Sequence, residues 1–174
     1  KSVFAGRKVL ERINEGRRHR FLVVRKVGRS LRESCFAQLK QQIIEHFVYE
    51  DFKINASDMT IKHKNGNMII FSGLDDVEKL KSIHAVTDVW IEEATEITEA
   101  DFNQLDIRCR EVPSDYNQII LSFNPVSVLS WVKRRFFDEQ PDNCTTHLST
   151  YQDNRFLSAQ AVRVLESLSC IRKS

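Results

Sequence analysis

Asp88-Val89-Trp90-Ile91-Glu92-Glu93-Ala94-Thr95-Glu96 places a short strand-forming run directly before paired acids. A strand covered on both faces reads as a continuous apolar run, as in a parallel sheet. Ligands of such a sheet bind beyond the carboxyl ends of its strands, so chemistry is expected just after Ile91. Side chains along a strand alternate between faces, but the backbone turns at its end, and two adjacent carboxylates can then reach one shared site. Two like charges held together call for a cation. Magnesium fits, with one carboxylate holding it and the other orienting or deprotonating an attacking water. The same letters also describe two exposed acids opening a loop.

Working outward, strand and helix signals alternate. Upstream, Val3, Phe4, Val9, Leu10 and Ile13 recur at helical spacing and predict a helix from Ser2 to about Glu15. Phe21 to Val24 is an apolar, partly β-branched run, expected to be a central parallel strand. Ser30 with Glu33 forms a capping box that predicts a long helix over 31–47. Met59, Ile61 and His63 alternate with polar residues, Asn65-Gly66 supplies a positive-φ turn, and 68–71 returns, which describes a β-hairpin. A short helix is expected over 75–83. Downstream, Thr98 opens a helix over 98–108, an apolar strand covers 118–123, a helix 128–137, a strand 145–150 and a closing helix 158–168. Helices alternating with short apolar strands imply an α/β sandwich with a mainly parallel sheet.

Composition bounds the function. With 174 residues, 41% of them hydrophobic, one compact domain is the expectation. There is no initiator Met, so the chain reads as a fragment. Charged residues make up 29% but nearly balance at a formal net of +2, so bulk charge does not mark a nucleic-acid binder. Three basic runs stand out: Arg17 to Arg20 with His19 among them, Arg25-Lys26 with Arg29 and Arg32, and Lys133 to Arg135. Each reads as DNA contact or as a solvated face. Cys35, Cys109, Cys144 and Cys170 lack zinc-site spacing and fit free thiols in a reducing compartment. No apolar run approaches the roughly 18 residues of a membrane span.

Two further segments carry chemistry. Ser122-Phe123-Asn124-Pro125 follows the apolar run Ile119-Ile120-Leu121, where small and amide side chains can sense a γ-phosphate; a neutral donor detects its loss without holding the product by charge. Asn124-Pro125 also reads as a plain turn. Lys1-Ser2 precedes a helix as the last pair of G-x-x-x-x-G-K-[ST] does, where Lys reaches the β- and γ-phosphates and Ser the magnesium.

In order, these are Lys1-Ser2, the 24–32 segment V-R-K-V-G-R-S-L-R, Gly73-Leu74-Asp75-Asp76, W-I-E-E-A-T-E over 90–96, S-F-N-P over 122–125 and T-Y-Q-D-N-R-F-L over 150–157. That series resembles the large terminase subunits of tailed phages and prophages, in the branch that writes its Walker B motif W-I-E-E-A-T-E. The resemblance runs from Lys1 to Leu168. It implies a P-loop NTPase-like fold of the ASCE or RecA-like kind, a three-layer sandwich with a mainly parallel sheet and a β-hairpin insertion. Residues 1–168 would be the ATPase domain, lacking the N-terminal part of its P-loop, and 169–174 the start of a linker or tail. The family's C-terminal nuclease domain is not expected here.

The resemblance further implies an ATP hydrolase that packages double-stranded viral DNA into a procapsid, using ATP and Mg2+. Carried over, Lys1 and Ser2 bind nucleotide, Ser2 and Glu92 hold the metal, Glu93 is catalytic, and Ser122, Phe123, Asn124 and Pro125 form the coupling motif. Lys81, Arg108 and Arg110 are candidates for a trans-acting basic residue. Implied partners are double-stranded DNA, the portal protein, the small terminase subunit and further copies in a ring, with no membrane, in the host bacterial cytoplasm. Two departures are Glu92, where most P-loop enzymes carry Asp, and the absence of glycines ahead of Lys1. Another DNA-dependent, helicase-like ATPase, or an inactive remnant that keeps the fold, are the alternative readings.

Overall fold

Phe21 to Val24 are fully buried, and their alternate side chains feed two separate apolar clusters, as expected of a strand covered on both faces. The computed structural model describes residues 1–110, 116–125, 127–154 and 156–171, with side chains through 167. The chain divides into two compact units, Lys1–Glu139 and Gln140–Ser174.

In the first unit, α1 (Ser2–Asn14) leads into β1 (Arg20–Arg25). Next, α2 (Arg29–Leu31), a π-helical turn (Arg32–Phe36) and α3 (Ala37–His46) run end to end. β2 (Phe52–Asn55), β3 (Thr60–His63) and β4 (Met68–Gly73) follow, then α4 (Val77–Ser82), β5 (Asp88–Glu92), α5 (Glu99–Arg108) and β6 (Gln118–Ser122). α6 (Trp131–Lys133) continues as a second π-helical turn, Arg134–Asp138. The six strands lie in the order β2-β3-β4-β1-β5-β6. β4, β1, β5 and β6 are parallel, while β2 and β3 add antiparallel strands beside β4.

Each face of the sheet has its own core. Val9, Leu10 and Ile13 of α1 and Leu39 and Ile43 of α3 pack with Phe21, Val23, Phe71 and Trp90. Leu80 of α4, Phe102 and Leu105 of α5 and Val132 of α6 pack with Leu22, Val24, Val89 and Ile91. Helices therefore cover both faces, a three-layer α/β arrangement.

The structure departs from the sequence-based expectations at several points. Ser30 does not cap the long helix: the helix begins at Arg29, and the Ser30 hydroxyl donates back to the Val27 carbonyl at 2.8 Å. Asp75 does the anchoring instead, its Oδ1 accepting the Gly28 N–H at 2.9 Å. The helix expected over 128–137 starts at Trp131, because Ser130 caps it through Val132 N, leaving Val128 and Leu129 exposed in a turn. β2 was not anticipated; its four residues are too few to show a period, and it forms by pairing with β3. Thr98 does cap α5, accepting from Asp101 N at 3.1 Å while Asp101 accepts from Thr98 N at 2.9 Å.

Within the second unit, residues 145–150 form no strand despite their β-branched content, and Leu148 is exposed. Strand propensity depends on neighbours to pair with. Thr150 instead caps a 3-10 turn, Tyr151–Asp153, and α7 (Ala159–Ile171) follows. Arg155, part of the 150–157 motif, lies outside the described residues, as do residues 172–174 of the expected tail.

The loops leaving β1 and β4 interlock at the carboxyl edge. A Cβ on Gly73 would lie 2.2 Å from Gly28 N and 2.5 Å from Gly28 Cα. Those are backbone atoms that cannot swing aside, so Gly73→Ala is expected to cost about 1–3 kcal/mol through overpacking. Urea unfolding would read this as a lower midpoint with an unchanged m-value; an unchanged midpoint would mean the two loops part freely.

Candidate functional site

The parallel strands end together at Arg25, Gly73, Glu92 and Ser122, and most of the motif residues gather at this edge. Glu92 is the last residue of β5 and is 6% exposed. Its Oε2 accepts a hydrogen bond from the Cys35 thiol at 2.9 Å. Glu93 then turns the chain, with φ 52° and ψ 52°. Left-handed backbone costs a residue with a Cβ about 1–2 kcal/mol. The kink separates the two acids, leaving Glu92 buried and Glu93 partly open to solvent.

Lys1 meets Glu93 there: its ammonium lies 2.9 Å from Oε1. The N-terminal turn of α1 is held in place by α3, where Gln38 donates to the Ser2 carbonyl at 2.7 Å and Gln42 to the Val3 carbonyl at 2.8 Å. Residues 92 positions apart in sequence thus meet at one strand end.

Ser122 closes β6 directly beside Glu92 in the sheet register. Its hydroxyl accepts from the Trp90 indole N–H at 3.0 Å, so both residues are buried with their polar atoms paired. Phe123 sits edge-on to Phe137 with ring centroids 6.3 Å apart, linking the strand end to the turn after α6. Asn124 and Pro125 are exposed.

The basic candidates lie elsewhere. Arg108 donates to the Leu80 carbonyl at 2.9 Å, and the neighbouring Cys109 thiol donates to the Thr87 carbonyl just before β5. Lys81 pairs with Glu78 at 2.9 Å, and Arg110 is exposed. Leu80, Arg108 and Cys109 therefore gather near the start of β5, roughly 13 Å of strand away from its acidic end. Within this chain the fold does not bring Lys81, Arg108 or Arg110 to Glu92 and Glu93. Arg25 does reach the edge, 3.6 Å from the Glu96 carboxylate.

Sequence reasoning missed two features. One is the Cys35–Glu92 contact, between residues 57 apart with no spacing signal to join them. The other is a buried cluster at the opposite edge. Asp88 is fully buried, with Arg12 Nη2 3.0 Å from Oδ1, within ion-pair distance though not aligned as a hydrogen bond. His19 Nδ1 lies 2.9 Å from Oδ2, and the Thr87 hydroxyl donates to Oδ2 at 2.7 Å. Arg12 also stacks over the Tyr116 ring at 4.4 Å.

Burial, then the hydrogen bond to Glu92, pushes the Cys35 thiol well above its ordinary value. Burial, then the Asp88 charge, pushes Cys109 up to about 12. Only a thiolate attacks disulfide reagents. Ellman's reagent on the native protein is therefore expected to modify the partly exposed Cys144 well before Cys35 or Cys109, as mapped by peptide mass spectrometry. Early labelling at Cys35 would contradict its packing.

A magnesium ion is compatible with this edge. Among the described residues, no group of three or more His, Cys, Asp or Glu side chains forms a metal cage. Ser2 and Glu92 offer hard oxygen donors, and magnesium characteristically takes one or two such groups together with phosphates and water.

The chain matches the family described as phage terminase large subunit over residues 1–170. It is similar to the PBSX phage terminase large subunit of Bacillus subtilis (strain 168), 31% identical over 166 residues, covering 84% of this chain and 38% of that protein. The large terminase subunit of Bacillus phage SPP1 is 35% identical over 159 residues, covering 85% and 38%. The chain thus spans less than half the length of either relative. Among solved structures, the large terminase of a thermophilic bacteriophage aligns with a TM-score of 0.76 at 20% identity, over 93% of this chain and 40% of that one. The complex of that terminase with ADP gives 0.72. At that identity the likeness is one of fold, and the fold is P-loop NTPase-like.

Proposed function

Since this chain belongs to the phage terminase large-subunit family, we propose that it forms the ATP-hydrolysing part of a motor that drives double-stranded DNA into a procapsid. The observation that carries this reading is the meeting of Lys1 with Glu93, beside Glu92, at the carboxyl end of β5. ATP is the nucleotide and Mg2+ its counter-ion. The portal protein, the small terminase subunit and further copies of the subunit in a ring are the partners, in the host cytoplasm.

The residues divide the work. Lys1 binds the β- and γ-phosphates, and Ser2 and Glu92 hold magnesium, whose charge offsets that of the phosphates. As phosphate draws the Lys1 ammonium away, the Glu93 carboxylate is released from its ion pair and becomes free to orient water. The water oxygen bonds to the γ-phosphorus, the bond to the β–γ bridging oxygen breaks, and the water proton passes to Glu93. ADP and inorganic phosphate leave. Ser122, next to Glu92 in register, and Phe123, packed on Phe137, provide a route from the strand end to the helices behind it.

Magnesium-dependent ATP hydrolysis by the intact protein, with and without double-stranded DNA and procapsids, tests this. Turnover that rises with procapsids supports a packaging motor; absence of turnover under every condition would overturn it.

A further inference from the structure

Glu92 is gripped by a side chain from a distant helical segment. Cys35 belongs to the π-helical turn Arg32–Phe36, and its thiol donates to Glu92 Oε2 at 2.9 Å. Cys35 is fully buried. It belongs to the same buried core cluster as Leu31, Phe36, Leu39 and Phe71; Phe36 sits edge-on to Phe71 at 5.1 Å, and the Ser34 hydroxyl donates to the Ser30 carbonyl at 2.8 Å. Single π turns inside helices are frequent at functional sites.

A carboxylate ligand with both oxygens free can rotate and share its charge between them. One fixed donor removes that freedom and leaves the second oxygen as the one offered to a cation. We propose that Cys35 is a positioning residue for the magnesium–nucleotide site, its thiol clamping Glu92 Oε2 so that Oε1 is presented to the metal. This rests on the reading above in which Glu92 holds magnesium. The alternative is that Cys35 is a small core residue whose contact with Glu92 has no consequence.

The test is the magnesium dependence of nucleotide binding rather than turnover. A fluorescent ATP analogue is titrated onto the intact protein over a range of Mg2+ concentrations and in EDTA. Cys35→Ala is expected to raise the magnesium midpoint roughly threefold to tenfold, at or below the lower end for lost ligand-orienting bonds because a thiol is a weak donor. Binding in EDTA should not change, and Cys35→Ser, which keeps a donor, should restore the midpoint toward wild type. A merely structural role would not separate Ser from Ala in this way. If Cys35→Ala fails to fold, Cys35→Val against Cys35→Ser makes the same comparison.

Equal midpoints for wild type and Cys35→Ala, or for the Ser and Ala variants, would overturn the positioning role. Glu92→Gln separates the positioning role of Cys35 from the magnesium role of Glu92. If it shifts the midpoint while Cys35→Ala does not, only the positioning role falls. If Glu92→Gln leaves the midpoint unmoved, the magnesium role of Glu92 falls, and this proposal with it.

Discussion

Glu93→Gln in the intact protein is expected to lower the rate of ATP hydrolysis about 10²–10⁴-fold, the range supplied by a well-placed general base. An amide keeps the shape of the carboxylate but cannot take a proton from water. Nucleotide binding should persist or tighten slightly. In the structure the Lys1 ammonium is engaged by Glu93 Oε1 at 2.9 Å, and an uncharged side chain competes less with phosphate for it. Single-turnover hydrolysis and equilibrium binding of a fluorescent nucleotide check the two halves separately. Near-normal turnover would remove Glu93 from the chemistry and leave its left-handed backbone unexplained.

Asp88→Ala is expected to destabilise the protein by about 3–5 kcal/mol, more than Gly73→Ala, because removing one partner leaves a buried charge uncompensated. The stranded group is Arg12, 8% exposed at its side chain, and His19 and Thr87 lose their acceptor at the same time. Against the 5–15 kcal/mol that holds a typical domain together, such a loss is large. Asp88→Asn keeps an acceptor and should cost less. Adding Arg12→Met to Asp88→Ala should recover part of the loss, since the charge left behind is then gone, with a coupling of about 0.5–3 kcal/mol. Chemical denaturation of the wild type, Asp88→Ala, Arg12→Met and the double variant measures the coupling directly, with Asp88→Asn alongside. A loss below about 1 kcal/mol for Asp88→Ala would mean that water reaches Arg12 and replaces the carboxylate.

The uneven legibility of the chain follows from how local each signal is. β1 and β5 were readable because a strand covered on both faces needs an unbroken apolar run, and 21–24 and 89–91 supply it. The Thr98 cap was readable because its partner Asp101 is three residues away. Ser30 and Glu33 offered the same kind of local signal and it misled: the helix start is governed by Asp75, 47 residues from Gly28. Residues 145–150 have strand composition but no strand to pair with among the described residues, and composition cannot report a missing neighbour.

The sequence by itself determined the alternating α/β plan, the two strand ends to within a residue of Glu92 and Ser122, and the family resemblance, because periodicity and short motifs are properties of neighbouring residues. Only the tertiary structure decided that Lys1 meets Glu93, that Cys35 grips Glu92, that Asp88 collects Arg12 and His19, and that Arg108 lies at the other end of β5 from the acids. Those contacts join residues 22 to 92 apart across a six-stranded sheet. The strand order and register that create them minimise the free energy of the whole chain, and no window of the sequence contains that sum.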